Sequence, residues 1–395
     1  MVRFERFEVE QWMDTYETTP GVLNIAETCA ESVSIDELVR LSEDEAANPL
    51  QTGTALTYGA IRGSPALRGR IASLYQGEQL SADHVIVTQG AIAANFLVFY
   101  GLVGPGDHVI CVYPTYQQLF SVPESLGAEV SLWRLRPEHG FLPDMDDLEK
   151  LARANTKMIV INNPNNPTGV PIPTDLVRKI VDFAKARGII VLSDEVYRPL
   201  FHDGAENNEN MPPSAAELGY EKVIVTGSLS KAYSLAGIRV GWIASGDQAI
   251  VERLAQARHY TAISVSQLDD QVANYALSPA VRRPLLRRNI SLAKRNVDMV
   301  KAFVERHGSL CTWVAPTAGT TAFIQFQVGG RPVDDVAFCR DVLDKTRVFF
   351  VPGSRCFGRG HDFAGYVRVG FAGSTAVLAE ALQRLGVYVE HSFRQ

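Results

Sequence analysis

The chain has few cysteines, no long apolar run and no excess of positive charge. Each shortage excludes something. The five cysteines, at 29, 111, 311, 339 and 356, are odd in number and form no C-x-x-C pair. A disulfide frame is therefore not expected. The pattern reads as reduced thiols in a cytoplasmic compartment. Apolar runs such as Met158–Ile161 and Ile189–Leu192 are far too short to span a bilayer. The opening MVRFERFEVEQW alternates charge with aromatics and lacks the apolar stretch of a secretory signal. Lys and Arg number 38 against 44 Asp and Glu, a net charge of −6. No basic field is present to attract nucleic acid or an anionic membrane.

What is present is ordinary globular composition, 46% hydrophobic and 21% charged over 395 residues. At roughly 150 residues per domain, that length suggests about two to three domains. The middle of the chain carries short apolar runs at Val85–Thr88, Val109–Val112, Met158–Ile161, Ile189–Leu192, Val223–Thr226 and Val240–Ala244. Helix-length segments, such as Ala91–Leu102 and Thr174–Arg187, lie between several of them. The alternation predicts an α/β fold with a mainly parallel sheet covered on both faces. After about residue 280 the texture changes. A long Arg-rich helix over Ala280–His307 is expected, with Arg282, Arg283, Arg287 and Arg288 on a solvated face. Strands at Thr321–Gln327, Val348–Val351 and Tyr366–Phe371 and a helix at Thr375–Leu385 should follow, as a smaller α+β domain. The expected division is an N-terminal segment over 1–45 packing with the small domain, a large domain over 46–280 and a small domain over 281–395. The polar stretch 203–214 reads as an exposed loop.

Several segments carry chemistry. In VIVTGSLSKAYSLAGIRVGW a strand runs into small hydroxyl residues and Lys231. Burial would lower the pKa of a lysine there and suit it to Schiff-base chemistry. A plain surface lysine after a strand explains the same pattern. Ser228 and Arg239 are suited to binding a phosphate. In IIVLSDEVY a buried strand delivers Asp194 at its end, where open α/β sheets bind ligands, with Tyr197 in reach. A buried carboxylate there wants a cationic partner; an aspartate capping the next helix is the plainer account. In NPNNPTG the prolines fix Asn166 as a rigid donor, although any turn favours these residue types. In VIVTQGAIAA a small-residue helix start leaves the Ala91 and Ile92 amides open to an anion. Tyr116, just after a strand, suits stacking on a flat ring or core packing. Arg368, inside the apolar run YVRVGF, needs an anion, either a ligand carboxylate or an internal Asp or Glu.

Taken together, the order and spacing of these segments from Tyr58 to Phe371 resemble the class I/II aminotransferases. Those are fold-type-I enzymes that use pyridoxal 5′-phosphate (PLP). The resemblance implies the PLP-dependent transferase fold and the following roles. Lys231 holds PLP and moves the substrate Cα proton, and Asp194 pairs with the ring nitrogen. Asn166 and Tyr197 bond its phenolic oxygen, and Tyr116 stacks on the ring. Ala91, Ile92, Ser228 and Arg239 hold the phosphate, and Arg368 grips the substrate carboxylate. Tyr58 crosses a homodimer interface to the partner's phosphate. The family therefore implies a homodimer with shared sites and an amino-acid substrate.

Two departures fall on the substrate side. The segment LNIAETC lacks the glycine many members carry there and places Glu27, Thr28 and a thiol near the entrance. PTAGTTAFIQF supplies hydroxyls where a Gly-Gly-aromatic pattern is common. These features resemble specialised-metabolism members, the capreomycidine-synthase-like cyclases and the carbon–sulfur lyases of epidithiodiketopiperazine pathways. The expectation is an aminotransferase acting on an L-amino acid. The alternative is a PLP-dependent carbon–sulfur β-lyase or cyclase of secondary metabolism. A non-catalytic binding protein is disfavoured by the presence of Lys231.

Overall fold

The computed structural model describes residues 4–43, 48–77, 80–202 and 211–393. Most of the polar stretch expected as a loop, residues 203–210, lies outside the described residues. The chain opens with helix α1 (Glu8–Tyr16), a two-residue strand β1 (Leu23–Asn24) and helix α2 (Ile35–Leu41). A Ser34/Glu37 capping box starts α2, each side chain bonding the other residue's backbone N–H. Helix α3 (Pro65–Ala72) follows.

A seven-stranded sheet fills the middle of the chain. Its strands are β2 (Val85–Thr88), β3 (His108–Tyr113), β4 (Glu129–Arg134), β5 (Thr156–Asn162), β6 (Ile190–Asp194), β7 (Val223–Ser228) and β8 (Gly241–Ser245). Their order is β2-β8-β7-β6-β5-β3-β4, and only β8 runs against its neighbours. Strand β4 was not expected from sequence. It lies at an edge, and its face is only partly buried, so EVSLWR shows no solid apolar run. The central strands are apolar on both faces because both are covered. Ile86, Met158, Val160 and Leu192 pack against helix α4 (Gly90–Leu102) and the helices Gln118–Ser125 and Gln248–Arg258. Val87, Ile159, Ile161 and Val191 face the opposite cluster, which includes the helix Thr174–Arg187.

The second sheet is antiparallel. It comprises β9 (Cys311–Trp313), β10 (Thr321–Val328), β11 (Arg331–Pro332), β13 (Val351–Pro352) and β14 (Tyr366–Gly370). The expected strand 348–351 is two short strands. β12 (Val348–Phe349) pairs with β1, while β13 pairs with β14. Two partners in different directions require the break at Phe350, whose carbonyl accepts from the Trp12 indole N–H. The long helix spans Pro279–Arg306, and the last helix spans Thr375–Ser392. Arg282 and Arg288 on the long helix are half-buried, correcting the expectation of a solvated face. Arg288 lies 3.5 Å from the Glu31 carboxylate.

Candidate active site

Parallel strands place their C-terminal ends along one edge of a sheet. Here β3, β5, β6 and β7 end at that edge and deliver Tyr116, Asn166, Asp194 with Tyr197, and Ser228 with Lys231. Strand β2 runs the same way, being antiparallel to β8, and brings the N-terminus of α4 there. Arg368 arrives from β14, and the stretch after β1 brings Glu27 and Thr28. All of the site residues expected from sequence except Tyr58 line one cavity of about 400 Å³. That volume lies within the roughly 300–1,000 Å³ of small-molecule sites. Tyr58 is 83% exposed and stands outside it.

Asp194 is 3% exposed. Its Oδ2 accepts from Asn95 Nδ2 at 2.9 Å and its Oδ1 from the Val196 amide at 3.1 Å. A turn follows, not a helix, so Asp194 caps no helix. Burial pushes its carboxyl up to about 6, against the two hydrogen bonds and the Lys231 charge. Thr226 in turn donates to Asn95 Oδ1 at 2.7 Å, fixing the amide so that its N–H faces the carboxylate.

Lys231 Nζ donates to Thr28 Oγ1 at 2.7 Å and lies 3.5 Å from Glu27 Oε1 and 3.5 Å from Cys29 Sγ. The lowered lysine pKa expected from burial is not found. Burial does oppose the ammonium, but Cys29, Glu27 and Tyr197 outweigh it and hold the group above its ordinary range. Glu27 is the counterpart. Burial works to raise it, yet Lys231 and the donors of Cys29 and Thr28 hold it at about 2.

Arg368 is 3% exposed. Nη1 donates to Asn166 Oδ1 at 3.3 Å and Nη2 to the Ala26 carbonyl at 2.9 Å. Its Nε has no partner, and no carboxylate among the described residues pairs with it. The internal salt bridge is thus excluded, and the guanidinium is left with donor capacity beside a cavity. Asn166 is set by its own amide, which donates to Asn162 Oδ1 at 2.7 Å. Tyr116 is half-buried; its hydroxyl donates to Glu10 Oε1 at 2.7 Å.

The anion end is built from backbone. Helix α4 has no side-chain cap, which leaves its first amides free at the positive end of the helix. Gly241 lets that terminus approach: a Cβ there would fall 2.4 Å from the Gly90 carbonyl carbon and 2.6 Å from the Ala91 nitrogen. Arg239 packs against Gly90 and donates to the Ala236 carbonyl at 3.0 Å. The Ser228 hydroxyl donates to the Val240 carbonyl at 3.1 Å and accepts from the Ser230 hydroxyl, whose Oγ lies 2.8 Å away.

Sequence reasoning missed Asn95, Asn162, Ser230 and Gln118, and the wall formed by α1 through Val9, Glu10, Met13 and Glu17. Asn95 carried a signal, as a lone amide within the apolar helix GAIAANFLVFYGL. The α1 contribution carried none, because it depends on how the N-terminus packs across the two sheets.

The donor set fits PLP. Asp194 is a buried carboxylate with no cation at ion-pair distance among the described residues, as a protonated pyridine requires. An uncapped helix end and Arg239 suit a phosphate, a lysine stands between them, and Arg368 has a donor to spare. This is the constellation of a PLP-dependent enzyme of fold type I. Comparison with known proteins gives the same class. Residues 34–385 match the family "Aminotransferase class I and II", and the chain belongs to it. It is 31% identical over 315 residues to the capreomycidine synthase of Streptomyces vinaceus, covering 80% of this chain and 76% of that one. It is 30% identical over 350 residues to an aspartate aminotransferase of Thermotoga maritima, covering 87% and 85%. Among solved structures, a PLP-dependent aminotransferase from Streptococcus suis is 38% identical. It superposes with a TM-score of 0.89 over 100% of this chain and 99% of that one. No helix among the described residues is long and apolar enough to cross a membrane.

Proposed function

We propose that the chain is an aminotransferase for an L-α-amino acid and that Arg368 receives the substrate's α-carboxylate. The observation that carries this is the buried guanidinium with an unpartnered Nε in the same cavity as Lys231 and Asp194. When bound, PLP supplies an electron sink for the pair released at Cα. Lys231 holds the cofactor, then takes the Cα proton and returns it. Asp194 keeps a proton on the ring nitrogen. Asn166 and Tyr197 would hydrogen-bond the phenolic oxygen, and Tyr116 would help hold the ring. The Ala91 and Ile92 amides, Ser228 and Arg239 would hold the phosphate; Ser228 would exchange its bond to the Val240 carbonyl to do so. Glu27 and Thr28 face the substrate.

The domain division at residues 45 and 280 belongs to the same proposal, as do a cytoplasmic location and a homodimer in which Tyr58 serves the partner's site. Five buried, free cysteines support a reducing compartment. The exposure of Leu56, Tyr58, Ile61, Phe96, Tyr100 and Tyr260 supports the dimer. Neighbouring segments tie this surface together, with Gln267 and Arg258 donating to the carbonyls of Thr57 and Ile61. Similarity to a capreomycidine synthase supports a second reading, a lyase or cyclase of secondary metabolism.

A single-turnover experiment separates the two readings. The cofactor-loaded protein is mixed with amino acids and cysteine S-conjugates, without an oxo-acid acceptor. The visible band and ammonia are followed. The aminotransferase reading expects loss of the band, stoichiometric oxo acid and no ammonia. A recovering band with continuing ammonia and thiol release establishes the lyase instead.

A further inference from the structure

We propose that Glu27 is a positioning residue for Lys231, holding Nζ in place and stabilising its positive charge each time it carries the substrate's Cα proton. The inference rests on the reading of Lys231 given above. It starts from how firmly Glu27 is held. Its Oε1 accepts from the amides of Thr28 at 2.6 Å and Cys29 at 2.9 Å, so the carboxylate is locked to its own backbone turn. That backbone is clamped in turn. A Cβ on Gly370 would fall 1.8 Å from the Glu27 carbonyl oxygen, so only glycine allows the close approach. Arg368 lies two residues earlier on the same strand and grips the Ala26 carbonyl at 2.9 Å. The group that receives the substrate carboxylate and the group beside the lysine are therefore set in one register.

The charged and titratable groups facing Lys231 are Glu27 and Cys29 on this segment, Asp194 at the end of β6 with Tyr197 just beyond it, and Arg368 on β14. Asp194 is committed to the ring nitrogen, and Arg368 to the substrate. Near neutral pH the Cys29 thiol is protonated, pushed up to about 11 by burial and the neighbouring carboxylate, and burial raises Tyr197, so these two add their charges to the hold on Lys231 only in alkaline solution. Glu27, 3.5 Å away, is then the full negative charge left for Nζ. In the proton transfer the Cα–H bond breaks and the proton bonds to neutral Nζ. The electron pair stays on the substrate side. The ammonium so formed is met by Glu27 and by Thr28 Oγ1 at 2.7 Å. Half of the Glu27 side chain is exposed, so solvent screens the pair.

Glu27→Gln and Glu27→Asp test this, with melting curves establishing that each variant folds. In the cofactor-free protein, trinitrobenzenesulfonate labelling of Lys231 at about pH 9, read by mass spectrometry, should rise several-fold in Glu27→Gln, up to about tenfold for each pKa unit lost. Glu27→Asp should fall between. In the loaded enzyme, Glu27→Gln should lower kcat roughly three- to tenfold with little change in KM. It should also enlarge the rate effect of deuterium at Cα. Labelling and isotope effect both equal to wild type in Glu27→Gln overturn the proposal. Lys231→Ala keeps the two failures apart. Continued turnover and colour in that variant defeat the parent reading. A dead Lys231→Ala beside wild-type labelling and a wild-type isotope effect in Glu27→Gln defeats this inference alone.

Discussion

Asp194 shows how a single residue stores folding free energy for a ligand. In the cofactor-free protein its carboxyl keeps its proton up to about pH 6, whereas the ordinary value is 3.8. Between these values the folded state binds more protons than the unfolded state, so this group makes stability fall as pH rises through the window. A shift of that size corresponds to about 3 kcal/mol. Asp194→Asn removes the titration while keeping an acceptor and a similar shape. Urea unfolding of the cofactor-free proteins should show the variant gaining on wild type from about pH 4 to about pH 6, with a constant difference above. A pH-independent difference would mean that the carboxyl is not held neutral. With PLP present the order should reverse, because the wild-type charge then has a cationic partner.

At the scale of elements, the proposed phosphate end depends on a helix terminus more than on side chains. Helix α4 can present its first amides only because Gly241 on β8 leaves room for Gly90 and Ala91. Gly241→Ala should push that terminus off the strand. Overpacking of this kind costs about 1–3 kcal/mol. We expect the PLP dissociation constant, measured by equilibrium dialysis, to rise about tenfold or more, alongside a lower melting temperature. Unchanged affinity would place the phosphate elsewhere. The split of 348–351 into β12 and β13 is decided at the same scale. The sequence VFFVP is one apolar run, and nothing local marks the change of partner at Phe350.

For the whole molecule, the exposed aromatics bear on assembly. Tyr58 reaches no part of its own cavity, and Tyr100 and Tyr260 are 45% and 85% exposed. Sedimentation of the wild-type protein should give a dimer. Tyr260→Asp, which buries a charge if this surface is an interface, should shift the equilibrium toward monomer and weaken cofactor retention together. A monomeric wild type with full activity would remove Tyr58 from the site.

The residues proposed for the cofactor side of the site were legible because they stand at strand ends within a few positions of apolar runs. Lys231 and Asn166 follow β7 and β5, Asp194 ends β6, and each strand's burial pattern is written locally. The parallel order of those strands then forces the three residues to one edge. The sequence by itself determined that much: the α/β class, the strand-end residues and the uncapped start of α4. The tertiary structure alone decided what surrounds them. Lys231 carries a raised, not lowered, pKa because Glu27 and Cys29 arrive from a segment some 200 positions away. Arg368 lacks an internal carboxylate because the small sheet seats it against Asn166 and Ala26. Burial is a property that apolar patterning announces, whereas electrostatic environment is a sum over neighbours that only the packed chain brings within a few ångströms.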